Sequence, residues 1–240
     1  MAGVSGARTT VWSFLGRLDY DAATRLQLSV RDALRRGEGP ERLLLLEHPP
    51  VFTLGRNATT GGVIWNAGEL AERGVAVHET DRGGQVTYHG PGQLVGYPIL
   101  DLNPDRRDLR RYVRDLQETL VLTLGDFGVV AEAGEGERIG VWTAGRKIAS
   151  IGIHLSRWIT THGFALNVDP DLGHFGGIVA CGMPDVRMTS IALERGAAPA
   201  LREVAERYVV RFSERFERDT VAAPSFAAEL AEPESVPAGR

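Results

Sequence analysis

Cysteine and lysine are nearly absent. The 240-residue chain has one of each, Cys181 and Lys147, and fills its other basic positions with arginine. A lone cysteine excludes an internal disulfide, and one thiolate cannot fill a tetrahedral zinc site, so Cys181 is either a small buried hydrophobe or a nucleophile. No two of the histidines stand at the helical i, i+4 spacing of a zinc motif, and neither a metal nor a cofactor is expected. No apolar run reaches the 18 residues that would suggest a membrane span, and the first residues lack the apolar core of a secretory signal. With one thiol to keep reduced, the expected compartment is the cytoplasm. A formal net charge of −4 gives no global attraction to nucleic acid or anionic lipid, so neither is expected as a partner.

What is present reads as an ordinary globular domain, 43% hydrophobic and 24% charged, large enough for one buried core over residues 1–220. After Thr220 the composition shifts to Ala, Glu, Pro and Ser without periodicity, and 221–240 reads as a disordered tail. Thr9 to Leu15 is predicted as a strand, and Tyr20 to Arg36 as a helix with Ala23, Leu26, Val30 and Leu34 at helical spacing. The apolar run 42–47 reads as a buried strand, and Val51 to Leu54 as another. Val75 to Glu79 and Leu94 to Leu100 read as strands on either side of a glycine-rich loop. A long helix is predicted over Arg106 to Phe127 and a last one over Leu201 to Arg218. Between them, Val129 to Val168 reads as an antiparallel meander turning at Gly134-Glu135-Gly136, Ala144-Gly145 and Thr161-His162-Gly163.

Four features bear on chemistry. Cys181 lies in the glycine-flanked run Gly176 to Met183, where small neighbours leave the sulfur approachable and Gly182 is read as freeing a backbone N–H for a substrate oxygen. Lys147 has small and apolar flanks that would partly desolvate it; it is either a solvated strand residue or a cation that stabilises a thiolate. Asp81 to Gln93 packs four glycines and a proline among polar side chains; it lacks both the Walker pattern and the dinucleotide fingerprint, so a structural turn and a ligand loop both remain open. His89, within that loop, is the best functional candidate among the histidines. On the predicted 106–127 helix, Arg107, Arg110, Arg111 and Arg114 form a basic stripe opposite Leu109, Val113, Leu116 and Leu120; it is either a solvated face or a dock for an acidic protein.

Taken together, Arg82 to Gln93, Gly145 to His154, Gly163 to Asn167 and Ala180 to Met183 closely resemble the lipoyl(octanoyl) transferases, in the family's order, with the likeness running from about Leu15 to Leu193. The resemblance implies an α/β (α+β) single domain of mixed, largely antiparallel sheets flanked by helices, like the biotin and lipoate ligases. It implies transfer of an octanoyl or lipoyl group from acyl carrier protein to a lysine of lipoyl domains, namely those of 2-oxo acid dehydrogenase complexes and the glycine cleavage H protein. By the same likeness Cys181 is the acyl-thioester nucleophile and Lys147 the residue that favours its thiolate. Arg82, Gly83, Gly84, Gln85, Val86, Thr87, Tyr88 and His89, with Ser150, Ile151, Gly152, Gly163, Phe164 and Ala165, would line the acyl site. An ATP-dependent ligase on the same fold, needing no cysteine, and a non-catalytic acyl binder are the competing readings.

Overall fold

Four consecutive leucines, Leu43 to Leu46, leave their strand no polar face, so it needs apolar cover on both sides. In the computed structural model, which describes residues 8–223, that strand is β2 (Glu41–Glu47), third in an eight-stranded sheet. The sheet runs in the order β11 (Arg218–Ala222), β1 (Arg8–Arg17), β2, β6 (Gln93–Ile99), β10 (Ile159–Asn167), β9 (Arg146–Ser156), β8 (Gly140–Thr143), β7 (Glu132–Gly134). Both pairings of β1 are parallel and the others antiparallel. Leu44 and Leu46 pack with Val95, Ile99 and Ala165 beneath helix α1 (Tyr20–Arg35), which turns Ala23, Leu26 and Val30 inward. Leu43 and Leu45 face the opposite layer, where α3 (Leu109–Asp126) and α5 (Leu201–Phe216) contribute Leu116, Leu120, Tyr208 and Phe212. Each such side chain contributes about 2 kcal/mol when fully buried.

A second sheet of three strands places β3 (Val51–Leu54) between β4 (Ala76–Glu79), parallel to it, and β5 (Val86–His89), antiparallel to it. Phe52, Val86 and Tyr88 of this sheet pack on Phe175, Ile178 and Ala180, which lie just before the cysteine. The small sheet therefore carries the Cys181 loop, while β9 and β10 of the large sheet carry the lysine.

The mixed, largely antiparallel architecture with flanking helices is as expected, and four local assignments need correction. The stretch read as a glycine-rich loop contains strand β5, because Val86-Thr87-Tyr88-His89 is β-branched and aromatic and pairs with β3. Thr161-His162-Gly163 is no turn. The hairpin reverses at Arg157 and Trp158, both at positive φ, and Gly163 is small because a Cβ there would lie 2.2 Å from the Gly96 carbonyl oxygen of the neighbouring strand. Arg107 precedes the helix, whose N-cap is Asp108, and stacks on Trp158 at 4.8 Å; Leu109 is exposed rather than part of the apolar face. β11 pairs with β1 as far as Ala222, so Val221 and Ala222 belong to the sheet rather than to a tail; the proposed tail from 224 onward lies outside the described residues.

His48 follows β2 and braces the α1 side of the large sheet. Its Nδ1–H donates to the Leu18 carbonyl at 2.6 Å and its Nε2 accepts from the Tyr97 hydroxyl at 2.7 Å, so the neutral ring uses both nitrogens. Burial holds its pKa down to about 4. In the unfolded chain histidine takes a proton near pH 6.5, whereas the folded His48 waits until about pH 4. Its stability contribution is therefore full above pH 6.5 and declines as the pH falls toward 4. Urea unfolding should show a loss of about 2 kcal/mol between pH 7 and pH 5 from this residue alone, and His48→Gln should flatten that slope. Identical slopes in both proteins would contradict this.

Candidate active site

Lys147 enters at the start of β9, where its backbone N–H donates to Arg187 (2.8 Å) and its carbonyl accepts from Thr189 (2.9 Å). The chain just after the cysteine loop is thus stitched to the lysine. Upstream, the Val179 N–H donates to the Gly62 carbonyl at 2.9 Å and Ile178 bridges to Val63. Held at both ends, Cys181 adopts φ 54° and ψ 21°, a left-handed conformation that costs a residue with a Cβ about 1–2 kcal/mol. Gly182 follows at φ +69°, and a Cβ there would overlap the side-chain amide of Gln85 at 2.2 Å.

The lysine side chain runs over Gly140, where a Cβ would sit 2.6 Å from its Cε, and its Nζ lies 3.1 Å from Cys181 Sγ. Lys147 is 2% exposed and forms no ion pair with a carboxylate among the described residues. The Trp142 ring, 5.6 Å from Nζ, is its other cation-binding neighbour. A buried ammonium without a counter-charge is costly, and the half-buried sulfur is the group placed to supply one. An ammonium–thiolate pair and a neutral amine–thiol pair are its two states of equal net charge.

The pair opens on a cavity of about 500 Å³. Its floor follows the β9–β10 register, in which Ser150 pairs with Ala165, Ile151 with Phe164, Gly152 with Gly163 and Ile153 with His162. Arg82 to Thr87 and His89 line the facing wall, so the cavity lies between the two sheets. Of the anticipated acyl-site residues, Tyr88 alone does not line it. On a strand its side chain alternates with those of Thr87 and His89, and it instead stacks on His174 at 4.8 Å in the core of the small sheet.

A chain of hydrogen bonds braces this wall. Arg82, 6% exposed and without a carboxylate partner among the described residues, donates from Nε to Thr53 Oγ1 (3.1 Å) and from Nη1 to the Gly83 carbonyl (3.0 Å). Burial draws its pKa below the ordinary guanidinium value, against the opposing pull of Tyr20 and Cys181. Thr53 lies 3.5 Å from His89 Nε2, and His89 Nδ1–H donates to Gln93 Oε1 at 2.8 Å. Gln93 donates to Asn167 Oδ1 (2.9 Å), and Asn167 donates to the Thr189 carbonyl (2.9 Å), beside the backbone of Lys147. Burial holds His89 well below the ordinary histidine range, so it is a neutral bracing residue.

The Gly182 N–H, expected to be free, donates to the Val179 carbonyl at 3.1 Å because the loop closes into a 3-10 turn there. Sequence reasoning also missed Tyr20, Tyr97 and His162, which line the far end of the cavity, and Gly140, which makes room for the lysine. His162 lies within a strand at φ 57° and hydrogen-bonds Asp81 at 2.7 Å; that bond holds the Asp81 carboxyl down to about 2. His154 approaches the other Asp81 oxygen at 3.6 Å.

The family model described as the lipoyl protein ligase A/B catalytic domain matches residues 19–213. The chain is 47% identical over 215 residues to the octanoyltransferase of Solibacter usitatus, covering 89% of this chain and 96% of that one. It is 49% identical over 212 residues to the octanoyltransferase of Chloroflexus aurantiacus, covering 87% and 95%. Among solved structures, a bi-partite lipoate protein ligase from Thermoplasma acidophilum shares the fold with a TM-score of 0.65 at 18% identity, covering 90% of this chain and 87% of that one.

The left-handed backbone at Cys181 has a measurable consequence. Glycine ordinarily costs about 1 kcal/mol relative to alanine, but at positive φ the order reverses. Cys181→Gly should therefore unfold at a denaturant concentration no lower than Cys181→Ala. A glycine variant less stable by the ordinary margin would contradict the geometry.

Proposed function

The chain belongs to the lipoyl protein ligase A/B catalytic domain family and is an acyltransferase, and from that premise we propose that Cys181 carries an octanoyl or lipoyl group, as a thioester, from acyl carrier protein to the acceptor lysine of lipoyl domains. Those of 2-oxo acid dehydrogenase complexes and the glycine cleavage H protein are the proposed acceptors. The observation that carries the reading is the 3.1 Å contact between the chain's one lysine and its one cysteine, at the wall of a cavity able to hold an acyl chain.

The cycle balances on these two residues. The Cys181 thiolate attacks the donor's thioester carbonyl, and Lys147, with three N–H donors, stabilises the oxyanion. Collapse expels the carrier thiolate, which takes a proton from Lys147 and leaves neutral. The acyl group stays activated because one thioester has replaced another. An acceptor lysine with an ordinary pKa of about 10.4 is only about 0.1% neutral near pH 7.5, so a base is needed. The now neutral Lys147 takes that proton, the amine attacks, a second proton passes to solvent, and Cys181 departs as the thiolate beside a recharged Lys147. The chain is placed in the cytoplasm on the chemistry of its lone reduced thiol; no helix among the described residues is long and apolar enough to cross a membrane.

An ATP-dependent ligase remains the rival on the same fold, and a likeness at 18% identity speaks to fold alone. It has no use for a cysteine held against a buried lysine, and turnover of free acid with ATP by Cys181→Ser would favour it. Intact mass after mixing with octanoyl carrier protein should show one octanoyl group on the wild type and none on Cys181→Ala; an unmodified wild type would reject the thioester. Lys147→Arg keeps a cation that cannot give up its proton, so it should still take the acyl group but form amide roughly a hundredfold more slowly. An unchanged second step would reject Lys147 as the base.

Val113 of α3 lines the cavity, and the exposed Arg110 and Arg114 on the same helix pair with no carboxylate among the described residues. These two positive charges, on the helix that contributes Val113 to the cavity wall, are the surface on which an acidic carrier delivering its thioester would dock. Arg110→Glu with Arg114→Glu should raise KM for the carrier-bound donor roughly tenfold, more at low salt, and leave turnover of an octanoyl-pantetheine thioester unchanged. Equal effects on both donors would return these arginines to a solvated face.

A further inference from the structure

Next to the acyl cavity lies a second pocket of about 220 Å³, lined by α1, β4 and β10 and open to solvent past Asp21 and Asp81. Tyr20 and His162 line both spaces and so form the partition between them. The register places that partition at the end remote from the thiol. His162 pairs with Ile153, six residues along β9 from Lys147, whereas Ser150 and Ala165 lie between. An acyl chain attached at Cys181 and running along the β9–β10 floor therefore points its last carbons at Tyr20 and His162.

The chamber itself is polar. Tyr20 (6% exposed), Gln27 (2%) and Thr161 (2%) each line it and each holds a buried polar atom without a hydrogen-bond partner: the Tyr20 hydroxyl, Gln27 Nε2 and Thr161 Oγ1. Thr80, whose hydroxyl donates to the Leu54 carbonyl at 3.2 Å, is the side chain within hydrogen-bonding influence of the Tyr20 hydroxyl, and Gln27 accepts from the His162 N–H at 2.7 Å through its other amide atom. Asp21, Glu79 and Asp81 add carboxylates to the walls, and His78 faces Asp21 at 3.2 Å. Carboxylates on the walls and an opening to solvent make this a water-filled space, and an apolar chain entering it would displace that water without replacing its hydrogen bonds.

We propose that this hydrated pocket sets the acyl chain length, stopping the chain at the Tyr20–His162 partition because longer chains must swing the Tyr20 ring aside and enter a water-filled space walled by carboxylates. The inference rests on the acyl-transfer reading. Length selection is then electrostatic as well as steric: the space for more carbons exists but is the wrong solvent for them. Making its walls apolar at constant shape should relax the limit without any change at the thiol.

Octanoyl, decanoyl and dodecanoyl carrier thioesters are compared by kcat/KM and by intact mass of the Cys181 adduct, using wild type, Thr161→Val, Tyr20→Phe with Thr161→Val, and Tyr20→Ala. The isosteric double variant should raise the dodecanoyl-to-octanoyl ratio by roughly tenfold or more, since each further methylene buried contributes roughly fourfold. Thr161→Val, which touches the chamber and not the acyl cavity, should move the ratio the same way by a smaller factor, and Tyr20→Ala should move it furthest. Ratios unchanged across all three variants, with the octanoyl adduct still forming on the wild type, would overturn the proposal and leave acyl transfer standing. A wild type that takes no octanoyl adduct would overturn both.

Discussion

A buried lysine with no carboxylate partner among the described residues is the constraint around which the site is organised. Lys147 is 2% exposed, and the side-chain partner that the fold offers its Nζ is a sulfur 3.1 Å away. Such a charge is tolerated only if something nearby compensates it. The surrounding chain is arranged to keep the sulfur in place. Backbone hydrogen bonds tie residues 187 and 189 to Lys147 on one side, and 177 and 179 to the 62–65 segment on the other. Between these anchors the loop has few residues in which to turn, and Cys181 itself takes the left-handed conformation. Strain of about 1–2 kcal/mol at Cys181 is thus a consequence of bringing two sheets together at one contact.

The same junction defines the cavity. The large sheet supplies a floor of paired strand residues and the small sheet supplies the Arg82–His89 wall, so neither sheet alone encloses the cavity. The bracing chain Arg82, Thr53, His89, Gln93, Asn167 and Thr189 spans that gap and ends beside the backbone of Lys147. With His89 held neutral by burial, each group in the chain donates in one direction and accepts in the other. Loss of any member would leave a buried polar atom unpaired, so the geometry at the thiol is coupled to Thr53, Gln93, Asn167 and Thr189, which do not line the cavity.

Much of this was legible in one dimension because it depends on local periodicity or residue scarcity. The leucine run of β2, the inward face of α1 and the meander from 129 onward follow from apolar spacing, and the singularity of Cys181 and Lys147 drew attention to the pair before any distance was known. What was not legible depends on contacts distant in sequence. Tyr88 lies in the middle of the predicted acyl loop, but strand alternation sends it to the core; that follows only once β5 is seen to pair with β3. Gly163 looked like a turn and is small because of the strand next to it, while Gly182 looked like a free donor and is closed within its own 3-10 turn. Tyr20 and His162 lie far apart in sequence and meet only where α1 crosses β10.

The scarcity of lysine has a chemical consequence of its own. A thioester poised to acylate an amine threatens every amine within reach, and guanidinium groups, protonated at all accessible pH, are not amine nucleophiles. A chain that uses arginine for its remaining basic positions therefore keeps its cavity positively lined, at Arg82, without offering a competing acceptor side chain. The exception is Lys147, whose Nζ sits 3.1 Å from the sulfur. If the thioester forms as proposed, that amine must be prevented from taking the acyl group itself. Two features act in that direction: its stem is clamped over Gly140, where even a Cβ would not fit, and its backbone is fixed at both the N–H and the carbonyl by residues 187 and 189. A base that can reach a proton but cannot rotate onto the carbonyl carbon is what a two-step transfer between sulfur and a foreign amine requires.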